Sequence, residues 1–253
     1  MKFEMWSIWH FLYMCSPFLI FFVLYYFIRK RSMRVKYIVG CVLGSLSVLS
    51  LLVRNVDIFV RTGWDLEVIP LQVCHLGSLV AGFALIFKKK WLILTSFCFH
   101  MIPAFLAMLF ADALANYDTV FKIRAQAYVW GHILIIVCSL YGLTLFCPKF
   151  TKTDLYKALI FILIMSLLAI LCNSLFRAWF SWEPNYFYLF SYKGTPLKFL
   201  YTVVPTSVYG WFEINWVYTV VLMIVFTGAF IGLYYLAKWI SHICANEKVN
   251  SLS

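Results

Sequence analysis

Long apolar runs separated by short polar turns organise the chain. Seven stretches are long and apolar enough for a helix to cross a bilayer: about 8–28, 37–55, 68–87, 91–114, 126–147, 158–180 and 213–237. A hydrocarbon core near 30 Å asks for roughly 20 such residues at the α-helical rise. The expected fold class is therefore all-α, a polytopic membrane helix bundle of about seven transmembrane helices forming one integral membrane domain over residues 1–253. One connection departs from the pattern. Residues 181–212 hold eleven aromatics and prolines at 184, 196 and 205. Amphipathic rings favour the headgroup level and prolines forbid one continuous helix. This segment is expected to form an interfacial or re-entrant lid, the plainer reading being an aromatic belt.

Composition agrees with the pattern. Hydrophobic residues make up 64% of 253, aromatics 20% and charged residues 12%, about half the charge of an ordinary soluble domain. The charge that remains is sorted by loop. Turns after the first, third, fifth and seventh spans carry Arg29, Lys30, Arg31, Arg34 and Lys36, then Lys88–Lys90, then Lys149, Lys152 and Lys157, then Lys238 and Lys248, thirteen of the 21 basic residues. Positive charge marks the cytoplasmic face, so the N-terminus is expected outside and the C-terminus inside. Of ten acidic residues, only Asp154 and Glu247 then fall inside. The net charge of +11 reads as topology signal and attraction to anionic lipid. Scattered over four loops, it does not form a nucleic-acid surface. The first span is expected to stay as an anchor, since its basic cluster follows it and no small-residue cleavage site does. The eight cysteines lie in spans, at their ends or in the inner tail, so no structural disulfide is expected.

Polar side chains gather in the outer half: Arg54 and Asp57 closing the second span, Asp65 and Glu67 before the third, Asp112 ending the fourth, Asn173 and Arg177 late in the sixth, Glu213 and Asn215 opening the seventh. They outline a polar cavity open to the outside or the outer leaflet, or else a rim of snorkelling side chains.

Within that half the run Ile69–Ser78, IPLQVCHLGS, sets Cys74 beside His75, and ionisable groups in a hydrocarbon slab point to function. Counting six residues in from Val68 and from Gln126 puts Cys74 and His132 each about 9 Å below the outer boundary. On the third helix Gln72, Cys74, His75 and Ser78 share an arc of about 160°; on the fifth, Tyr128, His132 and Ser139 share a face. A thiol and a neutral imidazole within reach can form an acyl thioester, the imidazole taking the thiol proton and the sulfur attacking a carbonyl. Arg54, Arg177 or a protonated His75 would supply a supporting positive field. A free cysteine also packs as a small hydrophobe, which is the plainer account of Cys74. His100, near the midplane of the fourth span, is expected to bond a neighbouring helix; His10, close to the outer end of the first span, needs no explanation, and His242 falls in the cytoplasmic tail. No HxxxH or CxxC spacing supports a metal site, so neither metal nor other cofactor is expected. No internal repeat or inverted symmetry between halves speaks for a transporter.

The run Ile69-Pro70-Leu71-Gln72-Val73-Cys74, the isolated Gly131-His132, and Asn185-Tyr186-Phe187-Tyr188-Leu189 after the sixth span together resemble the YwaF-like integral membrane proteins. That bacterial family is similar to the eukaryotic transmembrane protein 164, a membrane-embedded phospholipid acyltransferase. The resemblance runs over roughly residues 10–240. It implies a Cys74 nucleophile with His75 adjacent and His132 as the distant base; an LQVC context replaces the family's Asn-Pro before the cysteine. The reading is an integral membrane acyltransferase of the bacterial plasma membrane, moving a fatty acyl group between lipids through a thioester, with Arg54, Arg177, Asn185, Tyr186, Gln72 and Ser78 as binding or electrostatic support. An outer site favours a membrane phospholipid as acyl donor, making the enzyme a transacylase with a lipid or lipoprotein acceptor; with water as acceptor it is a lipid hydrolase. The alternative is a lipid or solute transporter, or a membrane assembly factor, with no covalent chemistry.

Overall fold

The computed structural model describes residues 3–111, 114, 117–180, 184–190, 202, 206–209 and 212–250. The helices are α1 (Ile8–Ile28), α2 (Met33–Thr62), α3 (Val73–Phe87), α4 (Lys90–Thr95), α5 (Met101–Leu109), α6 (Ile123–Phe146), α7 (Lys152–Phe180) and α8 (Trp216–Asn250). A π turn, Ser96–His100, joins α4 to α5, and 3-10 turns cover Leu66–Val68 and Tyr186–Tyr188. Lys90–Leu109 counts as one span, so seven helical segments are long and apolar enough to cross a membrane. The chain is an all-α multi-pass bundle, as the hydropathy pattern predicts. The one small addition is an antiparallel pair, β1 (Ser207–Tyr209) and β2 (Phe212–Ile214), with Tyr209 opposite Phe212.

Several boundaries differ from the pattern, each for a local reason. A hydropathy window stops at the first charges, but α2 continues past Arg54 and Asp57 because Asp57 pairs with Arg61 one turn on, at 2.7 Å. The helix ends only at Gly63, whose φ of 72° suits a residue without a Cβ. α7 starts earlier than expected, at a capping box: Thr151 Oγ1 accepts from the Asp154 amide at 3.2 Å and Asp154 Oδ2 accepts from the Thr151 amide at 2.9 Å. α8 starts later, because β2 takes residues 212–214 and the Asn215 side chain caps the helix by accepting from the Tyr218 amide at 3.0 Å.

Two departures matter for the site. The third span is not helical throughout: Pro70, with no amide hydrogen, falls in an irregular stretch between the 3-10 turn and Val73. The fourth span widens at its centre, where the Met101 amide reaches back five residues to the Ser96 carbonyl. Pro103 follows two residues later, and the wider turn gives room for a ring that has no amide to offer residue 99.

α3, α4–α5 and α6 form the buried centre, while α1, α2, α7 and α8 turn most of their apolar residues outward. α2 packs on α3 and α6, α1 on α6, α4 on α7, and α8 on the π turn. His10, expected to need no explanation, is fully buried: its Nε2–H donates to the Met108 carbonyl at 2.8 Å and its Nδ1 accepts the Trp6 amide at 3.0 Å. It ties α1 to α5. Most of the expected lid over residues 181–212, and Asp112, lie outside the described residues.

Candidate functional site

Cys74 is the second residue of α3, so its side chain starts at the helix N-terminus, where first-turn backbone amides have no partner within the helix and the positive end of the helix dipole lies. Pro70 was the available signal, since a helix cannot run undisturbed through it. The Gln72 carbonyl accepts the Leu76 amide at 2.9 Å, while its side chain makes no capping bond. This replaces the depth count, which assumed a helical rise from Val68. Helix packing sets the level of His132 instead: Ser78 Oγ lies 3.9 Å from where a Cβ on Gly131 would stand.

The Ser78 hydroxyl donates to the Cys74 carbonyl at 3.3 Å, and the Ser47 hydroxyl donates to the Ser78 carbonyl at 2.9 Å. His132 is buried, 6% exposed, and Nδ1 sits 2.7 Å from the Tyr128 carbonyl. A carbonyl only accepts, so Nδ1 carries the hydrogen and Nε2 keeps a bare lone pair. The Tyr128 ring covers the imidazole at 4.3 Å between centroids, and its hydroxyl is taken by the Ala107 carbonyl at 2.6 Å. His75 and His132 are within electrostatic reach of one another, and the Arg54 guanidinium reaches both. Nδ1 of His75 is buried with no hydrogen-bond partner among the described residues.

Arg54 donates to the Glu67 carbonyl at 2.9 Å and pairs with the Glu67 carboxylate, and Asn55 Nδ2 donates to the Val68 carbonyl at 2.9 Å. These bonds hold the turn that leads into α3. Arg54 thus links the histidines to the rim, where Asp57 joins Arg61 and, at 3.8 Å, Arg124. Arg177 stands on the last turn of α7.

A second support comes from residues 184–190. The buried Asn173 side chain grips Tyr186 twice, Oδ1 accepting its amide at 2.9 Å and Nδ2 donating to its carbonyl at 3.1 Å. The Tyr186 hydroxyl donates to the Leu66 carbonyl at 2.7 Å, and Asn185 Oδ1 accepts the Phe190 amide at 3.1 Å. Phe187 and Tyr188 are both left-handed, at φ 58° and 56°, a conformation that side-chain-bearing residues keep only when their surroundings hold it. Phe187 stacks on Phe99 of the π turn at 5.8 Å, and the Tyr218 hydroxyl donates to the Tyr188 carbonyl at 2.9 Å. Burial pushes the Tyr188 phenol above its ordinary value, with Cys74 the next contributor. Asn185 and Tyr186 thus hold this strap through their own hydrogen bonds. Replacing Asn173 by Ala strands two buried backbone groups and should cost roughly 2 kcal/mol or more. Faster hydrogen exchange at 184–190, with α6 unchanged, is the measurement that checks it.

His100 was expected to bond a neighbouring helix and does so, Nδ1–H donating to the Val73 carbonyl at 3.0 Å. Its Nε2 is buried and unpartnered among the described residues. The sequence left unmarked the π turn that sets His100 against α3, and the position of Tyr13 on α1, which shares a packed cluster with Cys74 and Tyr128.

No curated protein and no solved structure matches the chain. The TMEM164 family matches it over residues 5–235, which include both the Cys74–His75 pair and His132. The chain is a multi-pass membrane protein of the TMEM164 family.

Proposed function

We propose that this protein is a membrane acyltransferase that carries a fatty acyl group on Cys74. The observation that carries the reading is the His132 Nδ1–H bond to the Tyr128 carbonyl. It fixes the tautomer that leaves Nε2 basic, on a ring within electrostatic reach of the residue next to the thiol. In the first half-reaction His132 Nε2 takes the thiol proton and Cys74 Sγ bonds to the ester carbonyl carbon of a phospholipid. The ester C–O bond then breaks, and the proton passes to the departing lysolipid oxygen. In the second, an acceptor hydroxyl or amine loses its proton to Nε2 as it attacks the thioester; the C–S bond breaks and the sulfur recovers a proton. Negative charge on Sγ stands at the N-terminus of α3, the favourable pole of that helix, and His75 and Arg54 add electrostatic support.

Lysine and arginine placement supports an outside N-terminus, with the site in the outer half of the bacterial plasma membrane. An outer site favours a membrane phospholipid over a cytosolic acyl carrier as donor. Lipids and lipoprotein amines are the acceptor classes. The test is to incubate the purified protein with phospholipid labelled in its acyl chain and map the label. A hydroxylamine-sensitive adduct on the peptide containing Cys74 is the expected result; no adduct, or one confined to other peptides, overturns the reading.

A further inference from the structure

Buried polar atoms that make no hydrogen bond are rare, and each one calls for an explanation. Among the described residues five side-chain atoms are of this kind: Tyr13 Oη, His75 Nδ1, His100 Nε2, Arg124 Nε and Ser174 Oγ. Three of them belong to residues around Cys74: His75 follows it, His100 is bonded to the carbonyl of Val73 before it, and Tyr13 lies in the packed cluster against which Cys74 and Tyr128 rest. They differ in what they can bind. With its Nδ1–H committed to Val73, neutral His100 offers only an acceptor at Nε2. The Tyr13 hydroxyl, unlike that nitrogen, has a hydrogen to donate. It is 8% exposed, and α1 holds it against α6, the helix of Tyr128 and His132. Water is scarce at this depth of a bilayer, so an unmade hydrogen bond there is costly.

We propose that Tyr13 is a catalytic residue whose Oη–H donates to the acyl carbonyl oxygen of the bound lipid and holds the oxyanion formed when Cys74 attacks. The inference rests on the thioester reading. As Sγ bonds to the carbonyl carbon, the carbonyl π pair moves onto oxygen, and the Tyr13 hydroxyl meets that charge without transferring its proton. When the pair returns, the ester C–O bond breaks and the leaving oxygen takes its proton from His132. The shared packing of Tyr13 with Cys74 and Tyr128 agrees with this placement. Tyr128 itself cannot serve, because its hydroxyl is committed to the Ala107 carbonyl.

The test is Tyr13→Phe, followed by two reactions of the same sulfur. Acylation by labelled phospholipid generates an oxyanion, whereas alkylation by iodoacetamide does not. Acylation should slow by about 10²–10³-fold, the usual effect of losing one oxyanion donor, with alkylation of Cys74 unchanged and detergent melting no lower than wild type. Replacing Tyr13 by 4-aminophenylalanine, which restores a donor on the same ring, should recover most of the rate. Acylation within about threefold of wild type in Tyr13→Phe, an equal fall in both reactions, or two position-13 variants that are equally slow would overturn the assignment while leaving the thioester standing. A wild-type protein that forms no adduct removes both.

Discussion

Cys74→Ala should carry no acyl adduct, and His132→Ala should form the adduct about 10²–10⁴-fold more slowly than wild type. The two losses differ in kind because the residues do. Without Sγ there is no atom to bear the acyl group, and none of the other seven cysteines, all free, stands at the start of α3 beside a histidine. Without His132 the sulfur is still present at the helix N-terminus, and only the group that takes its proton is gone. A slow reaction should therefore survive, rising with pH as hydroxide replaces the imidazole. The imidazole is buried, 6% exposed, so its loss also leaves a void under the Tyr128 ring. His132→Gln, which retains a side-chain amide for the Tyr128 carbonyl, separates the two effects: equal slowness in Ala and Gln variants belongs to the base. A time course of label on the Cys74 peptide checks all three variants. A protein that only binds or passes a lipid would tolerate Cys74→Ala, with lipid movement across vesicles unchanged and no adduct on any variant; that outcome would sink the acyltransferase.

Much of the bundle was legible because the bilayer simplifies the physics. Every spanning backbone must satisfy its own hydrogen bonds, so length and apolarity locate the helices, and all seven fall where the runs predict. Hydropathy is blind where the backbone departs from a regular helix for local reasons. Pro70 and Pro103 lie inside apolar runs, and each breaks or widens a helix at the point that sets a site residue: Cys74 at the first turn of α3, His100 at the end of the π turn. The pairing of α3 with α6 was anticipated from shared polar stripes, although the count that aligned them was not the geometry that does so. Tyr13 could not be found from periodicity. One tyrosine among the chain's sixteen gains meaning only when packing buries its hydroxyl with no hydrogen-bond partner among the described residues, a property of three dimensions. Asn185 and Tyr186 show the converse: the sequence marks them as unusual, and their side chains serve the strap that carries Tyr188.

Gly44→Val should be the most destabilising single change in the α2–α3 interface. A Cβ on Gly44 would stand 2.5 Å from the Gly82 carbonyl oxygen, and one on Gly82 would stand 2.7 Å from the Gly44 carbonyl oxygen and 2.6 Å from a Val48 methyl. The obstacle in both directions includes backbone, which cannot rotate away as a side chain can, so the helices must part. In lipid nothing hydrophobic drives helices together, and close approach through small residues is a main source of their attraction. The cost should therefore reach or exceed the upper end of the roughly 1–3 kcal/mol typical of overpacking, seen as a clear drop in the detergent melting temperature. Gly228→Val on the exposed face of α8, where an added Cβ meets nothing within 4 Å, should leave melting unchanged. The effect should also reach the site, because α2 carries Ser47, which bonds the Ser78 carbonyl, and Arg54, which holds the turn before α3. Parting the helices loosens both supports of the segment bearing Cys74, so acylation should fall with stability. Gly82→Ala should not rescue Gly44→Ala: each methyl meets the other residue's carbonyl, and the double variant should melt at or below the lower single one. Equal melting of Gly44→Val and wild type would mean that α2 and α3 do not approach this closely.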